Sequence, residues 1–206
     1  MERLILTGAR IFDGHAFHDH RALVIENGHV AAIAPLSALP DGPHQALSGG
    51  ILAPGFIDLQ VNGGAGLMVD GATTLDDLQA ICAAHGRLGA TGILPTLITD
   101  TPASTRAVLA AGIAAVDRVD GFLGLHLEGP HLDINRHGAH DAGLIRPMMD
   151  EDLETLCEAK AGLPCLIVTL APASVTPAQI ATLAQAGILV SLGHSDCTLV
   201  DARRAH

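Results

Sequence analysis

Hydrophobic and polar positions change their rhythm near residue 50. Before it, the apolar runs RLILTGARIF, ALVIE and HVAAIA are short and broken by polar residues, and the last two are joined by Asn27-Gly28. An Asn-Gly pair between apolar runs marks a tight hairpin, because both turn residues must take up positive φ. Residues 1–50 are therefore predicted to form a small β-rich unit.

After Ser48-Gly49-Gly50 strands and helices alternate. ILAPGFIDLQ, TGILPTLIT, GFLGLHLEG, CLIVTLAP and ILVSLGHS read as apolar strands, starting near Ile51, Ile93, Phe122, Leu166 and Ile188. TTLDDLQAICAAHGRLGA, PASTRAVLAAGIAAV, MDEDLETLCEAKAG and TPAQIATLAQAG read as the helices between them. In the first of these, Thr74 and Asp77 suit a capped start, and Leu75, Leu78, Ile81 and Cys82 fall on one face. Nearly continuous apolar strands separated by amphipathic helices predict a parallel sheet covered by helices on at least one face.

Chemically capable residues collect just past the C-terminal ends of these strands: Asp58 and Gln60, Thr99 and Asp100, Glu128, and His194. Ligands and catalytic groups gather there both in a (β/α)8 barrel and in an open doubly wound sheet. The stretch Gln60-Val61-Asn62-Gly63-Gly64-Ala65-Gly66 is glycine-rich but lacks the G-x-G-x-x-G spacing of a dinucleotide fold, so the barrel is the better reading. A full barrel takes about 250 residues, more than residues 51–206 supply, so the barrel is expected to be truncated after about five βα units.

Composition narrows the chemistry. With 22 acidic against 11 basic residues and a net charge of -11, the chain lacks the clustered Lys and Arg that a phosphate backbone requires. Small molecules, not nucleic acid, are the expected partners. No apolar run reaches the roughly 18 residues of a membrane span, and MERLILTGARIF shows no signal-peptide pattern, so a cytoplasmic protein without a membrane partner is expected. Cys82, Cys157, Cys165 and Cys197 are widely spaced and never form C-x-x-C, which predicts reduced, buried thiols.

Glu128 ends an apolar strand and is followed by Gly129-Pro130, which turns the chain. A carboxylate held there can ligate a divalent metal or act as a general base; the competing reading is an exposed strand-end glutamate. His194 follows LVSLG in the same way, as a zinc ligand or as an ordinary hydrogen-bonded histidine. Together they supply two of the three protein ligands of a catalytic zinc site, and no third ligand is evident at any strand mouth. His126 lies two positions before Glu128 on the same strand face and is expected to point inward, packing or supporting the ligands. His131 and His137 read as exposed loop polarity, and His15, His18 and His20 in GHAFHDH as surface residues of the β unit.

Several stretches closely resemble the N-acetylglucosamine-6-phosphate deacetylases of the amidohydrolase superfamily. They are PGFIDLQVNGG at 54–64, GLHLEGPHL at 124–132, GAH at 138–140 with Ile145-Arg146-Pro147 after it, VTLAP at 168–172 and VSLGHSDCT at 190–198. The resemblance runs in order along the whole chain; PGFID is shared by many amidohydrolases, whereas LEGP and GHS are far more specific. It implies a metal-dependent (β/α)8 (TIM) barrel flanked by a small β-sandwich, with a sandwich part over 1–50 and the first part of the barrel over 51–206. It further implies hydrolysis of the acetamide of N-acetylglucosamine 6-phosphate to glucosamine 6-phosphate and acetate, with one divalent ion as Lewis acid.

Residue by residue, the resemblance makes Glu128 and His194 metal ligands, and Ala139 and His140 the loop that meets the substrate, His140 orienting or polarising the acetamide carbonyl. Most amidohydrolases carry His-x-His after the first strand, where this chain has Gln60-x-Asn62. Neutral amides are poor zinc ligands, which points to a single metal with Gln60 and Asn62 supporting the pocket. Zinc is the expected metal, with iron, cobalt and manganese compatible with the same donors. The resemblance sets the family's second histidine ligand, its general-base aspartate and its phosphate-binding residues beyond His206, which itself comes too early to be a ligand. Turnover by this chain alone is accordingly expected to be impaired. Family members are homodimers. Two other readings stand beside this one: an amidohydrolase acting on a different amide, and a non-catalytic half-barrel fragment.

Overall fold

The structure, a computed structural model, describes residues 2–204; His206 lies outside the described residues. It divides into two compact units, residues 1–55 and 56–206.

The first unit contains seven strands, β1 (Arg3–Thr7), β2 (Arg10–Phe12), β3 (Phe17–His18), β4 (Arg21–Glu26), β5 (His29–Pro35), β6 (His44–Ala46) and β7 (Ile51–Leu52). They form a four-stranded sheet in the order β5-β4-β1-β6 and a three-stranded sheet in the order β3-β2-β7. The β4–β5 hairpin turns at Asn27 (φ 50°) and Gly28 (φ 80°), the two positive dihedrals the sequence demands. Its core is small: Ile5, Ala22 and Val24, with Ala34 and Leu39 against them. One boundary differs from the sequence reading. Ile51 and Leu52, read as the start of the first barrel strand, pair in parallel with Arg10 and Ile11 of this unit. Pro54 has no backbone N–H to continue a ladder, so it and Gly55 divide the apolar run in two, and the next strand begins at Phe56.

The second unit is α/β. Its main sheet has five parallel strands in the order β14-β13-β12-β11-β8, a half-barrel-like arrangement built from β8 (Phe56–Val61), β11 (Ala90–Ile98), β12 (Gly124–Glu128), β13 (Cys165–Leu170) and β14 (Leu189–Leu192). A short ribbon of β9 (Gly63–Gly64) and β10 (Leu67–Met68) follows β8. Helices α1 (Leu75–Arg87), α2 (Pro102–Ala115), α3 (Asp150–Lys160) and α4 (Pro177–Gln185) connect the strands, and α5 (Leu199–Arg204) follows β14. Helix starts are explained locally. Thr74 and Asp77 form a capping box on α1, Thr176 and Gln179 one on α4, and Thr101 caps α2 ahead of Pro102.

Period-two alternation sorts the strand residues between two faces. Leu125 and Leu127 of β12 and Leu166, Val168 and Leu170 of β13 pack with Leu78, Ile81, Val108, Leu156, Ile180 and Leu183 of the helices. Each such side chain stabilises the fold by about 1.5–3 kcal/mol relative to exposure. The intervening residues, His126, Glu128, Ile167 and Thr169, face the other way. With Leu59, Gln60, residues 189–191, Gly193 and His194 they line a hollow of about 410 Å³ on the opposite side of the sheet. No helix among the described residues is long and apolar enough to cross a membrane. All four cysteines are free; Cys82 is buried, which pushes its thiol up to about 11, and the other three are half-buried.

Candidate metal centre

The register of the sheet places Glu128 opposite Ile98 of β11 and Thr169 of β13, so its carboxylate emerges at the C-terminal rim between two neighbouring strand ends. It is 7% exposed, and its two oxygens have different partners. Oε1 lies 3.1 Å from His194 Nε2; Oε2 accepts a hydrogen bond from the Gln60 side-chain amide at 3.0 Å and lies 3.9 Å from His140 Nε2. Gln60 thus reaches Glu128 from the end of β8, whereas the Asn62 side chain makes no hydrogen bond among the described residues, its backbone carbonyl accepting from Val69 N–H. Ala139 is exposed beside His140.

His194 follows Gly193 just past β14 in a left-handed conformation, φ 47°, which is uncommon for a residue with a Cβ. Two segments hold it there. Asp133 N–H donates to the His194 carbonyl at 3.0 Å, and the His194 ring donates from Nδ1 to the Arg136 carbonyl at 2.9 Å. The Arg136–Asp196 ion pair, at 2.5 Å, joins the same two loops at the surface.

Two histidines therefore face one carboxylate with opposite wiring. A carbonyl oxygen only accepts, so Nδ1 of His194 carries a proton, which leaves Nε2, 3.1 Å from Glu128, as the nitrogen whose lone pair a divalent ion between the two would take in place of a proton donated to the carboxylate. At His140 the partner is a donor: Thr99 backbone N–H points at Nδ1 from 3.3 Å, with the Thr99 hydroxyl 2.8 Å away. Nδ1 is then the acceptor, and in the neutral ring the proton sits on Nε2, facing the carboxylate. His140 is buried, and that burial pushes its pKa below the ordinary histidine value against the pull of Glu128, which favours this neutral form. The two rings meet edge-on with centroids 4.5 Å apart.

One donor atom each from Glu128, His140 and His194 lie within 4.8 Å of one another, the one such group of His, Cys, Asp or Glu among the described residues. A tetrahedral ion with bonds of about 2.1 Å separates its donor atoms by about 3.4 Å. The 3.1 Å between Glu128 Oε1 and His194 Nε2 suits that geometry, so these two fit a divalent ion. His140 completes the triad by position, but its wiring presents a proton. Sequence reasoning finds no third ligand at a strand mouth; the structure brings His140 beside the pair from a loop, with a proton rather than a lone pair facing it.

His126 points inward as expected. Its Nδ1 donates to the Leu59 carbonyl at 3.1 Å and its Nε2 accepts from the Thr169 hydroxyl at 2.7 Å, tying β8 to β13 beneath the rim. Burial holds its pKa below the ordinary value. His131 corrects the sequence reading: it is 3% exposed rather than a solvated loop residue. The chain beyond Glu128 stays bonded to the β13 side, Gly129 N–H to the Thr169 carbonyl and Ala171 N–H to the His131 carbonyl. Alternation therefore continues through Leu127, Gly129 and His131, which line a small cavity with Thr105 and Leu156. His131 Nδ1 donates to the Arg146 carbonyl at 3.1 Å, and Arg146 is paired with Asp152. His137 is half-buried too, its Nδ1 without a hydrogen-bond partner among the described residues. Sequence reasoning places Thr99 at a strand mouth but not next to His140; the backbone groups of Thr99 and Arg136 that orient the rings leave no mark in a sequence.

Known proteins resemble this chain throughout. Residues 5–52 match the family model of the NagA composite domain. An N-acetylgalactosamine-6-phosphate deacetylase of Shewanella sp. (strain ANA-3) is 39% identical over 94% of this chain and 50% of its own length. An N-acetylglucosamine-6-phosphate deacetylase of Haemophilus influenzae is 32% identical over 89% of this chain and 48% of its own. Among solved structures, the N-acetylglucosamine-6-phosphate deacetylase of Pasteurella multocida superposes with a TM-score of 0.92 at 30% identity, over 98% of this chain and 54% of that one. A D-hydantoinase, at 18% identity and a TM-score of 0.56, over 94% of this chain and 41% of its own, shares the fold. The chain spans about half the length of the curated relatives it matches.

Proposed function

We propose that this chain, similar along its length to the amino-sugar-phosphate deacetylases, carries the metal-binding and carbonyl-polarising part of such an enzyme. The reaction is hydrolysis of the acetamide of N-acetylglucosamine 6-phosphate to glucosamine 6-phosphate and acetate. The parallel sheet is then the first part of a (β/α)8 barrel, with Glu128 and His194 as ligands to one divalent ion, zinc first among candidates. A cytoplasmic location and a homodimeric assembly complete the reading.

The observation that carries it is the opposite wiring of the two imidazoles around Glu128. His194 offers a lone pair and the glutamate an anionic oxygen, the donor types that zinc accepts. When bound, the ion supplies Lewis-acid polarisation and a nucleophile from water. Gln60 holds the second carboxylate oxygen in place, leaving the first beside His194. His140, neutral and protonated on Nε2, donates a hydrogen bond to the acetamide oxygen and strengthens it as negative charge develops there. Ala139, exposed and small, lets a sugar approach that donor.

A second reading concerns the sugar. The Shewanella relative, at 39% identity, acts by its name on N-acetylgalactosamine 6-phosphate, so the galacto epimer competes as substrate. Acetate release by the zinc-loaded protein from the two epimers, run in parallel, decides. Faster release from the gluco sugar supports the first reading, and faster release from the galacto sugar the second. No acetate from either, with hydrolysis of a cyclic or other linear amide, overturns both.

A further inference from the structure

We infer that Thr99 is a positioning residue whose backbone N–H and hydroxyl together hold His140 in its Nε2–H tautomer, so that this imidazole presents a donor instead of a metal ligand. The inference rests on the reading of His140 as the carbonyl-polarising group.

Thr99 follows β11 directly, one residue beyond the Ile98–Glu128 register pair, and is 5% exposed. Its amide and hydroxyl converge on a single ring nitrogen, at 3.3 and 2.8 Å. Were Nδ1 protonated, the buried Thr99 amide would face a hydrogen in place of an acceptor, and a buried N–H left unpaired is costly. Among the described residues the hydroxyl has one alternative acceptor, the Glu128 carbonyl, at a longer 3.5 Å. The place for this hydroxyl is built into the neighbouring strand end: a Cβ on Gly129, φ 89°, would run into Thr99 Oγ1. Glycine after the metal-ligand glutamate thus opens the notch from which Thr99 reaches His140. Beside the same carboxylate stand one ring whose outer nitrogen is free to give a metal ion its lone pair and one whose outer nitrogen keeps its proton, and Thr99 makes the difference.

The test uses the zinc-loaded protein with ¹⁵N-labelled histidine, reading ring tautomers from two-bond ¹H–¹⁵N correlations. The wild type should show His140 with unprotonated Nδ1 and protonated Nε2. Thr99→Val keeps the shape and the amide but loses the hydroxyl; it should mix the two tautomers and lower kcat about 10-fold, with zinc affinity unchanged. Thr99→Ser should restore the wild-type pattern and rate. Protonated Nδ1 in the wild type overturns the inference. So does a Thr99→Val protein with wild-type spectrum and kcat, or a ¹¹³Cd-substituted protein in which His140 Nε2 couples to the metal. The tautomer is read without turnover. An Nε2–H pattern in a protein that hydrolyses neither sugar phosphate therefore supports the role of Thr99 while removing the deacetylase reading.

Discussion

Two stretches of this chain are rich in histidine and acid, residues 13–20 and 124–140, and they behave differently. In the first, His18 pairs with Asp13 at 2.7 Å, and Asp13 also accepts from the His15 and Ala16 amides, so its carboxyl sits far below the usual carboxylate range. All of these contacts lie within a few residues at the surface of one hairpin, and His15 and His20 are exposed. In the second, Glu128 meets His194, 66 residues away, and Gln60, 68 residues away. Histidine density alone does not make a site. What does is a sheet whose parallel strands end side by side and deliver groups from distant sequence to one rim.

The largest effect that would break this contrast is at the rim. Glu128→Gln or His194→Ala should weaken zinc binding by well over 100-fold, since outer partners alone are worth 10–100-fold; metal competition titration measures it. Next, His140→Leu should lower kcat by roughly 10²–10³ with zinc affinity held within a few-fold, measured by acetate release beside the same titration. A loss of zinc on removing His140 would make it a ligand after all.

A smaller effect is expected from His131, whose pKa burial pushes below the ordinary histidine value of 6.5, the Arg146 carbonyl and Asp152 opposing. With the folded value depressed, the unfolded chain binds more protons below about pH 6.5, so the stabilising contribution is complete above that pH and declines as pH falls. His131→Gln should flatten that part of the stability profile in denaturant melts between pH 5 and 8. Smallest of all, the joint replacement of His15, His18 and His20 by Ala should leave zinc affinity unchanged and alter stability by no more than about 1 kcal/mol, because an exposed pair such as His18–Asp13 is worth little. Measurable zinc loss from that triple variant would erase the distinction between the two stretches.

Much of this arrangement is legible in the amino-acid sequence. The Asn27-Gly28 hairpin, the Thr74 cap and the alternation of strands with helices are written in local signals whose range is a few residues. So is the placement of Gln60, Thr99, Glu128 and His194 at strand ends, because a strand end is a local event. The burial of His131 is not, since it depends on the chain beyond Glu128 remaining bonded to the β13 side, which no turn signal announces. Nor is the parting of Ile51–Leu52 from Phe56, where the apolar pattern runs on and only Pro54 marks the break.

The amino-acid sequence by itself determined that Gln60, Thr99, Glu128 and His194 stand at strand ends, and which of them can ligate a metal or move a proton. Tertiary structure decided how they act. Whether an imidazole at the rim can give a metal ion a lone pair or keeps a proton there depends on its far nitrogen, and there the partners are the carbonyl of Arg136 and the amide of Thr99. Nearly every residue carries those two backbone groups, so their chemistry is invisible in the sequence, and only folding brings one or the other within reach of a ring.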